Sequence, residues 1–173
     1  MKPQTDAQLL ESTDAFEPIF RRYEKLIYHI CRRYFFSAED AMDAGQEAAL
    51  RLYRGLHSVI PKPDGSIKGW VCTVTANTCL DIVRKRRIET EELSDEKKAS
   101  ASAPSAEESA AARERIREIT AAIAKLPEDQ RIILILRDLQ QLSYEELAQA
   151  LSISLGTVKS RISRARMAVK NML

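Results

Sequence analysis

Residues 142–166 read LSYEELAQALSISLGTVKSRISRAR, and this stretch decides the fold of the C-terminal part of the chain. Ser143 precedes Glu146 by three positions, so the hydroxyl and the carboxylate can each accept a hydrogen bond from a free backbone N–H at a helix start, as in a capping box. The turn that follows contains Gly156, which bends without steric cost, and we predict that a second helix starts at about Thr157 and packs across the first. Two short helices joined in this way are typical of a DNA-reading helix-turn-helix.

The second predicted helix separates an apolar face from a polar one. At about 100° per residue, one sector carries Val158, Ile162, Ala165 and Val169. The opposite sector carries Ser160, Ser163, Arg164 and Met167. Arginine can pair bidentately with guanine and serine can bond to several base edges, so this opposite face suits the major groove of DNA. The basic residues on the flanks, closer to where phosphates would run, are Lys159, Arg161, Arg166 and Lys170. The alternative is a basic, solvated helix without a ligand.

The composition is typical of a water-soluble helical protein. The 173 residues are 45% apolar and 30% charged, enough for one medium domain or two small ones. The net charge of +2 is modest for a nucleic-acid binder, so a binding surface must come from segregated charge, such as Arg84-Lys85-Arg86-Arg87 and the final helix. Because no apolar run approaches the roughly 20 residues that span a bilayer, we expect a cytoplasmic protein without membrane insertion.

Motifs of catalysis or metal binding are not recognisable in the sequence. A glycine-rich phosphate loop, a metal-ligand set and a nucleophile beside a base are all missing, so we predict neither an enzyme nor a bound metal or cofactor. The cysteines Cys31, Cys72 and Cys79 lack the paired CxxC spacing of zinc and redox sites. Packing in the core is their favoured role, and a thiol or metal sensor is the alternative.

The first half of the chain has helical periodicity. Apolar residues at three- and four-residue spacing predict a helix over about 14–35, and Ser37 with Asp40 predicts a second helix that ends at about Leu56. Its core side is predicted to carry Ala44, Ala48, Leu52 and Leu56. Residues 59–69 hold two prolines and two glycines and predict a polar, mobile loop. The β-branched run after Trp70 is predicted to be a helix rather than a strand, because one helical stripe aligns Ile67, Val71, Val74, Thr78 and Ile82.

Residues 89–112 are predicted to form a flexible acidic linker between two helical domains, 1–88 and 113–173. This segment is rich in serine, alanine and acids and has no apolar period. Periodicity resumes after it, stops at Leu126-Pro127 and restarts with Glu128 and Asp129, whose charges suit a helix N-terminus. The expected fold is therefore all-α, with two small helical domains, the second containing the helix-turn-helix.

Together these motifs resemble the extracytoplasmic-function (group IV) sigma factors of bacterial RNA polymerase over nearly the whole chain. The run Leu126-Pro127-Glu128-Asp129-Gln130-Arg131 resembles the entry to region four of that family, and residues 142–148, 156–161 and 164–166 resemble its helix-turn-helix. In the first domain, residues 40–47 (DAMDAGQE) resemble the family's Asp-Ala-Glu-Asp-Leu-Val-Gln-Glu segment. Residues 70–84 resemble its tryptophan-to-asparagine helix, a part of region two.

The resemblance implies three binding surfaces. The recognition helix would read the duplex minus-thirty-five element through Thr157, Lys159, Ser160, Arg161, Ser163, Arg164 and Met167. The loop and the following helix would bind and melt the minus-ten element through Lys62, Asp64, Lys68, Trp70, Thr73, Asn77, Arg84 and Arg87. Core polymerase would be contacted by Asp43, Gln46, Glu47, Leu50 and Arg54.

The resemblance also implies partners. They are the clamp helices of the largest catalytic polymerase subunit, the flap of the second largest subunit, promoter DNA in duplex and single-stranded form, and an anti-sigma factor that holds the protein inactive. The alternative is a stand-alone helix-turn-helix regulator whose first domain senses a ligand or dimerises. Such a regulator would bind duplex DNA tightly without polymerase, at a two-fold symmetric site.

Overall fold

The computed structural model describes residues 4–91 and 110–173. All regular elements in those ranges are helical, so the all-α prediction is confirmed. The N-terminal half contains α1 (Asp6–Leu10), α2 (Phe16–Tyr34), α3 (Ala38–Gly55), a short 3₁₀ turn (Leu56–Ser58) and α4 (Lys68–Glu91). The C-terminal half contains α5 (Ala110–Ala124), α6 (Glu128–Leu134), a π-helical turn (Ile135–Leu139), α7 (Tyr144–Ala150) and α8 (Leu155–Met172).

Helices α2, α3 and α4 pack against one another and form the core of the N-terminal half. The Ser37 hydroxyl caps α3 by accepting a hydrogen bond from the Asp40 N–H at 3.3 Å. Three of the four buried residues of α3 are alanines, and such small side chains let the helices approach closely. Its buried residues are Ala41, Ala44, Ala48 and Leu52, so the predicted core side is confirmed. Leu56, the last predicted member, is also buried.

Helix α1 lies before the first helix that the sequence predicts, which was expected to start at about residue 14. The Thr5 hydroxyl accepts from the Gln8 N–H, and the Gln8 side chain accepts from the Thr5 N–H, which makes a complete capping box. Five residues are too short for an apolar period to show, so only the spacing of Thr5 and Gln8 signals this helix.

Helix α4 is buried on more than one side. It contacts α2 and α3 in the N-terminal half and α6 and α7 in the C-terminal half. The buried Thr75 and Thr78 hydroxyls donate to the carbonyl oxygens of Val71 and Val74, four residues earlier, at 2.8 and 2.7 Å. The helix can therefore carry β-branched polar residues into a core without leaving a polar group unpaired. Its last residue is Glu91, past the start of the predicted linker, and most of that linker, residues 92–109, lies outside the described residues.

The turn of the helix-turn-helix differs from the prediction. Helix α8 begins at Leu155, because the Ser154 hydroxyl accepts from the Thr157 N–H at 3.1 Å, and Gly156 lies inside the first turn. The residue with positive φ is Ser152, at 52°. The Ile153 N–H donates to the Ala148 carbonyl at 3.0 Å and the Ser152 N–H to the Gln149 carbonyl at 3.3 Å, so α7 ends in a Schellman motif that makes the turn without glycine.

The two halves share one continuous set of buried apolar side chains. Ile30, Val71 and Ala76 from the N-terminal half belong to the same cluster as Leu136 and Leu147 from the C-terminal half. The structure packs α6 and α7 of the C-terminal half against α4 of the N-terminal half.

Candidate nucleic-acid and polymerase-binding surfaces

The polar face of α8 is exposed. Ser160, Ser163, Arg164 and Met167 face outward, while Val158, Ile162 and Ala165 are buried on the other side. Met167 is 61% exposed. Arg164 lies along the helix, where its Nε donates to the Ser160 carbonyl at 3.3 Å and its Nη2 approaches the Ser160 hydroxyl at 3.4 Å. Lys159 is also exposed, and the Thr157 hydroxyl lies 2.9 Å from the Ser154 hydroxyl in the helix cap.

Two basic side chains of α8 are engaged by acids elsewhere in the C-terminal half. Arg161 pairs with Asp129 of α6 at 3.3 Å. Arg166 pairs with Asp138 of the π-helical turn at 2.6 Å, and this hydrogen bond raises the pKa of the arginine. The acids that pair with these arginines are distant in sequence, so periodicity alone could not reveal them. Arg161, which we predicted to contact DNA, therefore has a structural partner as well.

Helix α4 carries a polar stripe along its outer side. Asn77, Arg84 and Arg87 are exposed, whereas Trp70 and Thr73 are half-buried. The Trp70 ring lies against Gly55, where an added Cβ would sit 3.0 Å from Cζ2 of the ring. The Thr73 hydroxyl donates to the Gly69 carbonyl at 2.8 Å, so it is bonded within the helix.

The loop before α4 is a hydrogen-bonded turn rather than a loose connection. The Gly65 N–H donates to the Lys62 carbonyl at 2.8 Å, and Gly65 has a φ of +78°, which suits glycine. The Asp64 carboxylate accepts from the Ser66 N–H at 2.9 Å. Asp64, predicted to contact DNA, thus stabilises the turn that presents Lys62.

The lysines of this loop reach the C-terminal half. The Lys62 ammonium forms an ion pair with the Glu146 carboxylate of α7. The Lys68 ammonium donates to the Gln140 carbonyl at 3.0 Å. These contacts join residues 84 and 72 positions apart and were not predicted from the sequence.

The predicted polymerase-binding face lies on α3. Asp43, Gln46, Leu50 and Arg54 are exposed, and Leu50 keeps 50% of its surface accessible. Glu47 is half-buried and accepts from Arg51 at 2.9 Å, and Arg51 also pairs with Asp81 of α4 at 2.6 Å. Both acids raise the pKa of Arg51. Glu47 therefore helps to join α3 to α4.

Apolar side chains that were not predicted from the sequence lie beside this face. Met42 and Tyr53 are 56% and 63% exposed. Between α2 and α3 lies a groove of about 260 Å³ whose lining includes Phe20, Tyr28, Met42, Gly45 and Ala49. The spacing of residues 42, 46, 49 and 53 could have revealed this stripe, because it matches one side of a helix.

Arg131 joins the two halves at a second point. Its Nη1 donates to the Tyr34 carbonyl of α2 at 3.2 Å, and its Nη2 donates to the carbonyls of Ala124 and Leu126 at 2.8 and 3.1 Å. The guanidinium also lies over the rings of Tyr34 and Phe36, 5.4 and 5.0 Å from their centroids. Burial lowers the pKa of this arginine. No role for Arg131 was predicted beyond its place in a motif.

All three cysteines are buried and none forms a disulfide, which agrees with their predicted role in core packing. The sulfur atoms of Cys31 and Cys79 lie 3.9 Å apart. Their hydrogen bond and the burial of the pair raise the pKa of Cys79 well above its ordinary value. Burial raises the pKa of Cys72 to about 12. Since the thiolate is the reactive form, this environment disfavours thiol chemistry.

Across residues 4–91 and 110–173, no helix combines the length and apolarity needed to cross a membrane.

Models of two protein families match the chain. The family described as Sigma-70 region 2 matches residues 19–88, and the family described as Sigma-70, region 4 matches residues 116–169. The first range contains the loop, most of α4 and the exposed face of α3, and the second contains α7 and most of α8.

Curated relatives match more than nine tenths of the chain. The chain is 33% identical to the ECF RNA polymerase sigma-E factor of Escherichia coli K12, covering 96% of this chain and 93% of that protein. It is 30% identical to the ECF RNA polymerase sigma factor SigW of Bacillus subtilis 168, covering 92% and 89%. It is 32% identical to the ECF RNA polymerase sigma factor SigE of Mycolicibacterium smegmatis. That match covers 92% of this chain but only 62% of the longer SigE protein.

Two solved structures share the fold. The sigma factor RpoE, in complex with the anti-sigma factor NepR from Bartonella quintana, has a TM-score of 0.76 at 23% identity, covering 91% of this chain and 95% of that one. CnrH, in complex with the cytosolic domain of CnrY, has a TM-score of 0.66 at 21% identity, covering 96% and 93%.

Proposed function

The chain belongs to the extracytoplasmic-function (ECF) sigma factors of bacterial RNA polymerase, and from that premise we propose how its surfaces divide the work of starting transcription. Sigma factors are initiation factors rather than enzymes in themselves, so the chain contributes binding energy and positioning to core polymerase and carries no catalytic residue of its own. We propose the division into 1–88, 89–112 and 113–173, with a polymerase and minus-ten domain, a linker and a minus-thirty-five domain.

The observation that carries the proposal is that one chain presents two polar, cationic helix faces at separate places. The face of α8 with Ser160, Ser163 and Arg164 would enter the major groove of the minus-thirty-five element, where a bidentate arginine contact discriminates between bases by about 1–3 kcal/mol. Exposure of this face and burial of its opposite side support the assignment. Arg161 would contribute less than Arg164, because it pairs with Asp129.

The outer stripe of α4 would hold an unpaired base of the minus-ten element. Asn77 offers hydrogen bonds to a base edge, Arg84 offers charge for the backbone, and the half-buried Trp70 offers an aromatic face. Extruding a base from the duplex costs a few kcal/mol, which such contacts can offset. The lysines of the loop, Lys62 and Lys68, would contact phosphates next to that base.

The exposed side of α3 would bind the clamp helices of the largest polymerase subunit. Asp43, Gln46 and Leu50 supply charge, an amide and an apolar contact on one side of the helix. The neighbouring Met42 and Tyr53 enlarge the apolar part of this surface, a feature typical of protein-binding sites. The C-terminal half would contact the flap of the second largest subunit, and the acidic linker would follow a basic channel of the enzyme.

An anti-sigma factor is the expected antagonist. One of the solved structures with the same fold is a sigma factor in complex with the anti-sigma factor NepR, and another, CnrH, is in complex with the cytosolic domain of CnrY. Since transcription factors act where the chromosome is, we place the protein in the cytoplasm. A stand-alone regulator is not favoured, because the family matches cover both halves of the chain.

Reconstituted transcription tests the proposal. Core polymerase and the purified chain are mixed with promoters from the genome that encodes it, and run-off transcripts are measured for wild type, Arg164→Ala and Asn77→Ala. We expect transcripts that require core enzyme, a loss of dependence on the upstream element with Arg164→Ala, and a melting defect with Asn77→Ala. Transcription that ignores both changes would contradict the proposed surfaces.

A further inference from the structure

The contact between the loop and α7 places a carboxylate where a nucleic-acid phosphate would be expected. Lys62 and Lys68 are cations that the proposed function assigns to the DNA backbone. In this structure Lys62 is paired with Glu146, and Lys68 donates to the Gln140 carbonyl at 3.0 Å. Both lysines are therefore already bonded to oxygen atoms of the C-terminal half.

The Glu146 carboxylate is held in position by its own helix. One oxygen, Oε2, accepts from the Ser143 N–H at 2.7 Å within the capping box, and the other, Oε1, faces Lys62. The hydrogen bonds from Lys62 and Ser143 lower the pKa of Glu146, so it is charged at neutral pH. A fixed, charged carboxylate resembles a phosphate oxygen in charge and in its capacity to accept hydrogen bonds.

Apolar packing supports this ion pair. Helix α7 lies against α4, and the fully buried Leu147 and Ala150 of α7 share a cluster with Val71 and Ala76 of α4. Glu146 also approaches the backbone at Gly69, where an added Cβ would lie 4.0 Å from its Oε1. The outer stripe of α4, with Asn77 and Arg84, stays exposed. The contact therefore covers the loop and the first turn of α4 but leaves the rest of the stripe open.

We propose that Glu146 is an internal substitute for a DNA phosphate. By pairing with Lys62, Glu146 holds the loop against α7 in a closed arrangement of the free chain. The inference rests on the proposed function, because it needs the loop to be a DNA-binding element. A single DNA strand that binds Lys62 must displace Glu146. The apparent affinity of the chain for that strand is therefore the intrinsic affinity multiplied by the fraction of chains that are open. Any partner that draws α7 away from α4 frees the loop.

Carbodiimide coupling tests the contact in the full chain. The reagent activates the Glu146 carboxylate, the Lys62 amine attacks the activated carbon, an amide forms and a urea leaves. We expect an intramolecular Lys62–Glu146 cross-link in tryptic peptides of the wild type at low protein concentration. Its yield should fall when a mixed-sequence single-stranded DNA of 12 nucleotides is added first. A yield that DNA does not change, or no cross-link, would overturn the proposal.

Two matched variants test the masking. Glu146→Gln keeps an oxygen for the Ser143 N–H but removes the charge that faces Lys62. Glu145→Gln makes the same change of net charge at the exposed neighbouring position. In fluorescence anisotropy with the same DNA, we expect Glu146→Gln to bind about two- to fivefold more tightly than wild type, the range for a partly exposed ion pair. We expect Glu145→Gln to bind more tightly by a smaller factor.

Equal affinities for the two variants would overturn the masking role. Failure of the proposed function would be seen in a different experiment. The chain would then give no core-dependent transcription, whatever the yield of the cross-link. The two results can therefore be told apart with the same preparations.

Discussion

The Asp6 carboxylate accepts a hydrogen bond from the backbone N–H of Ile67 at 2.9 Å, although 61 residues separate them in the chain. The same carboxylate pairs with Arg22 at 2.6 Å and accepts from the Tyr23 hydroxyl, and Asp6 is only 3% exposed. Burial of Tyr23 and its hydrogen bond to Asp6 raise the pKa of Tyr23. One buried acid thus ties α1 to α2 and to the residue that precedes α4, and so fixes the end of the loop.

Replacing Asp6 by alanine should destabilise the protein strongly. The change leaves a buried N–H and a buried tyrosine hydroxyl without their acceptor, and each such loss costs about 1–3 kcal/mol. We expect a loss of about 2 kcal/mol or more in the free energy of unfolding, measured by urea denaturation. Asp14→Ala, at an exposed position nearby, is the control and should change stability by less than about 0.5 kcal/mol. Equal denaturation midpoints for the two variants would contradict this role.

Two glycines of α3 should respond differently to replacement by alanine. A Cβ at Gly45 would meet nothing within 4 Å, so Gly45→Ala should gain the helix propensity of alanine, about 1 kcal/mol. A Cβ at Gly55 would lie 3.0 Å from Cζ2 of Trp70, so Gly55→Ala must displace that ring. The midpoint temperature of thermal unfolding should rise for Gly45→Ala and should not rise for Gly55→Ala. Since Trp70 is the only tryptophan, its fluorescence should change with Gly55→Ala alone.

The recognition helix should lose sequence discrimination at one position. Arg164→Lys keeps the charge but removes the planar fork that pairs with guanine, so we expect the preference among upstream-element variants to fall by about 1–3 kcal/mol at one base pair. Lys159→Ala should weaken binding of all variants alike, because a phosphate contact carries no sequence information. Competition binding by the polymerase complex on a set of single-base promoter variants measures both effects. A uniform loss with Arg164→Lys would assign that residue to the backbone instead.

Acid should weaken the contact between the halves. The Lys62 and Ser143 hydrogen bonds lower the pKa of Glu146 from its ordinary 4.5. A carboxyl with a lowered folded-state pKa contributes stability that is fully present above the unfolded value and is lost as pH falls through the folded value. The stability difference between wild type and Glu146→Gln should therefore be constant near neutral pH and shrink below about pH 4.5. Urea denaturation of both proteins between about pH 3 and pH 7 would measure this change in the stability difference. A stability difference that does not vary with pH would exclude the ion pair as its source.

Local signals and long-range contacts differ in how well the sequence predicts them. The capping box of Ser143 and Glu146 follows from a three-residue spacing and is present. The second oxygen of Glu146 bonds to a lysine 84 positions away, which no spacing rule encodes. Gly156 was expected to make the turn because glycine tolerates positive φ, but the Schellman bonds of α7 place Ser152 there instead. Periodicity thus predicts which face of a helix is buried, while the partner on that face depends on how distant helices pack.

Arg131 offers the sharpest test of how the halves are joined. Its guanidinium bonds to three backbone carbonyls, one at the end of α5, one two residues beyond it at Leu126 and one at the end of α2. Its Nε is buried without a partner among the described residues. A lysine at this position would keep the charge, but its compact ammonium cannot reach the same carbonyls in fork geometry or stack on Tyr34 and Phe36. We expect Arg131→Lys to lower the free energy of unfolding by about 1–3 kcal/mol. Arg33→Lys, at an exposed position of α2, is the matched control and should change stability little.

The contact also predicts a second readout. Because Arg131 helps to hold α6 against α2, the yield of the Lys62–Glu146 cross-link should fall in Arg131→Lys and stay unchanged in Arg33→Lys. A destabilised Arg131→Lys with full cross-linking would show that the arginine stabilises the C-terminal half alone and does not join it to the other.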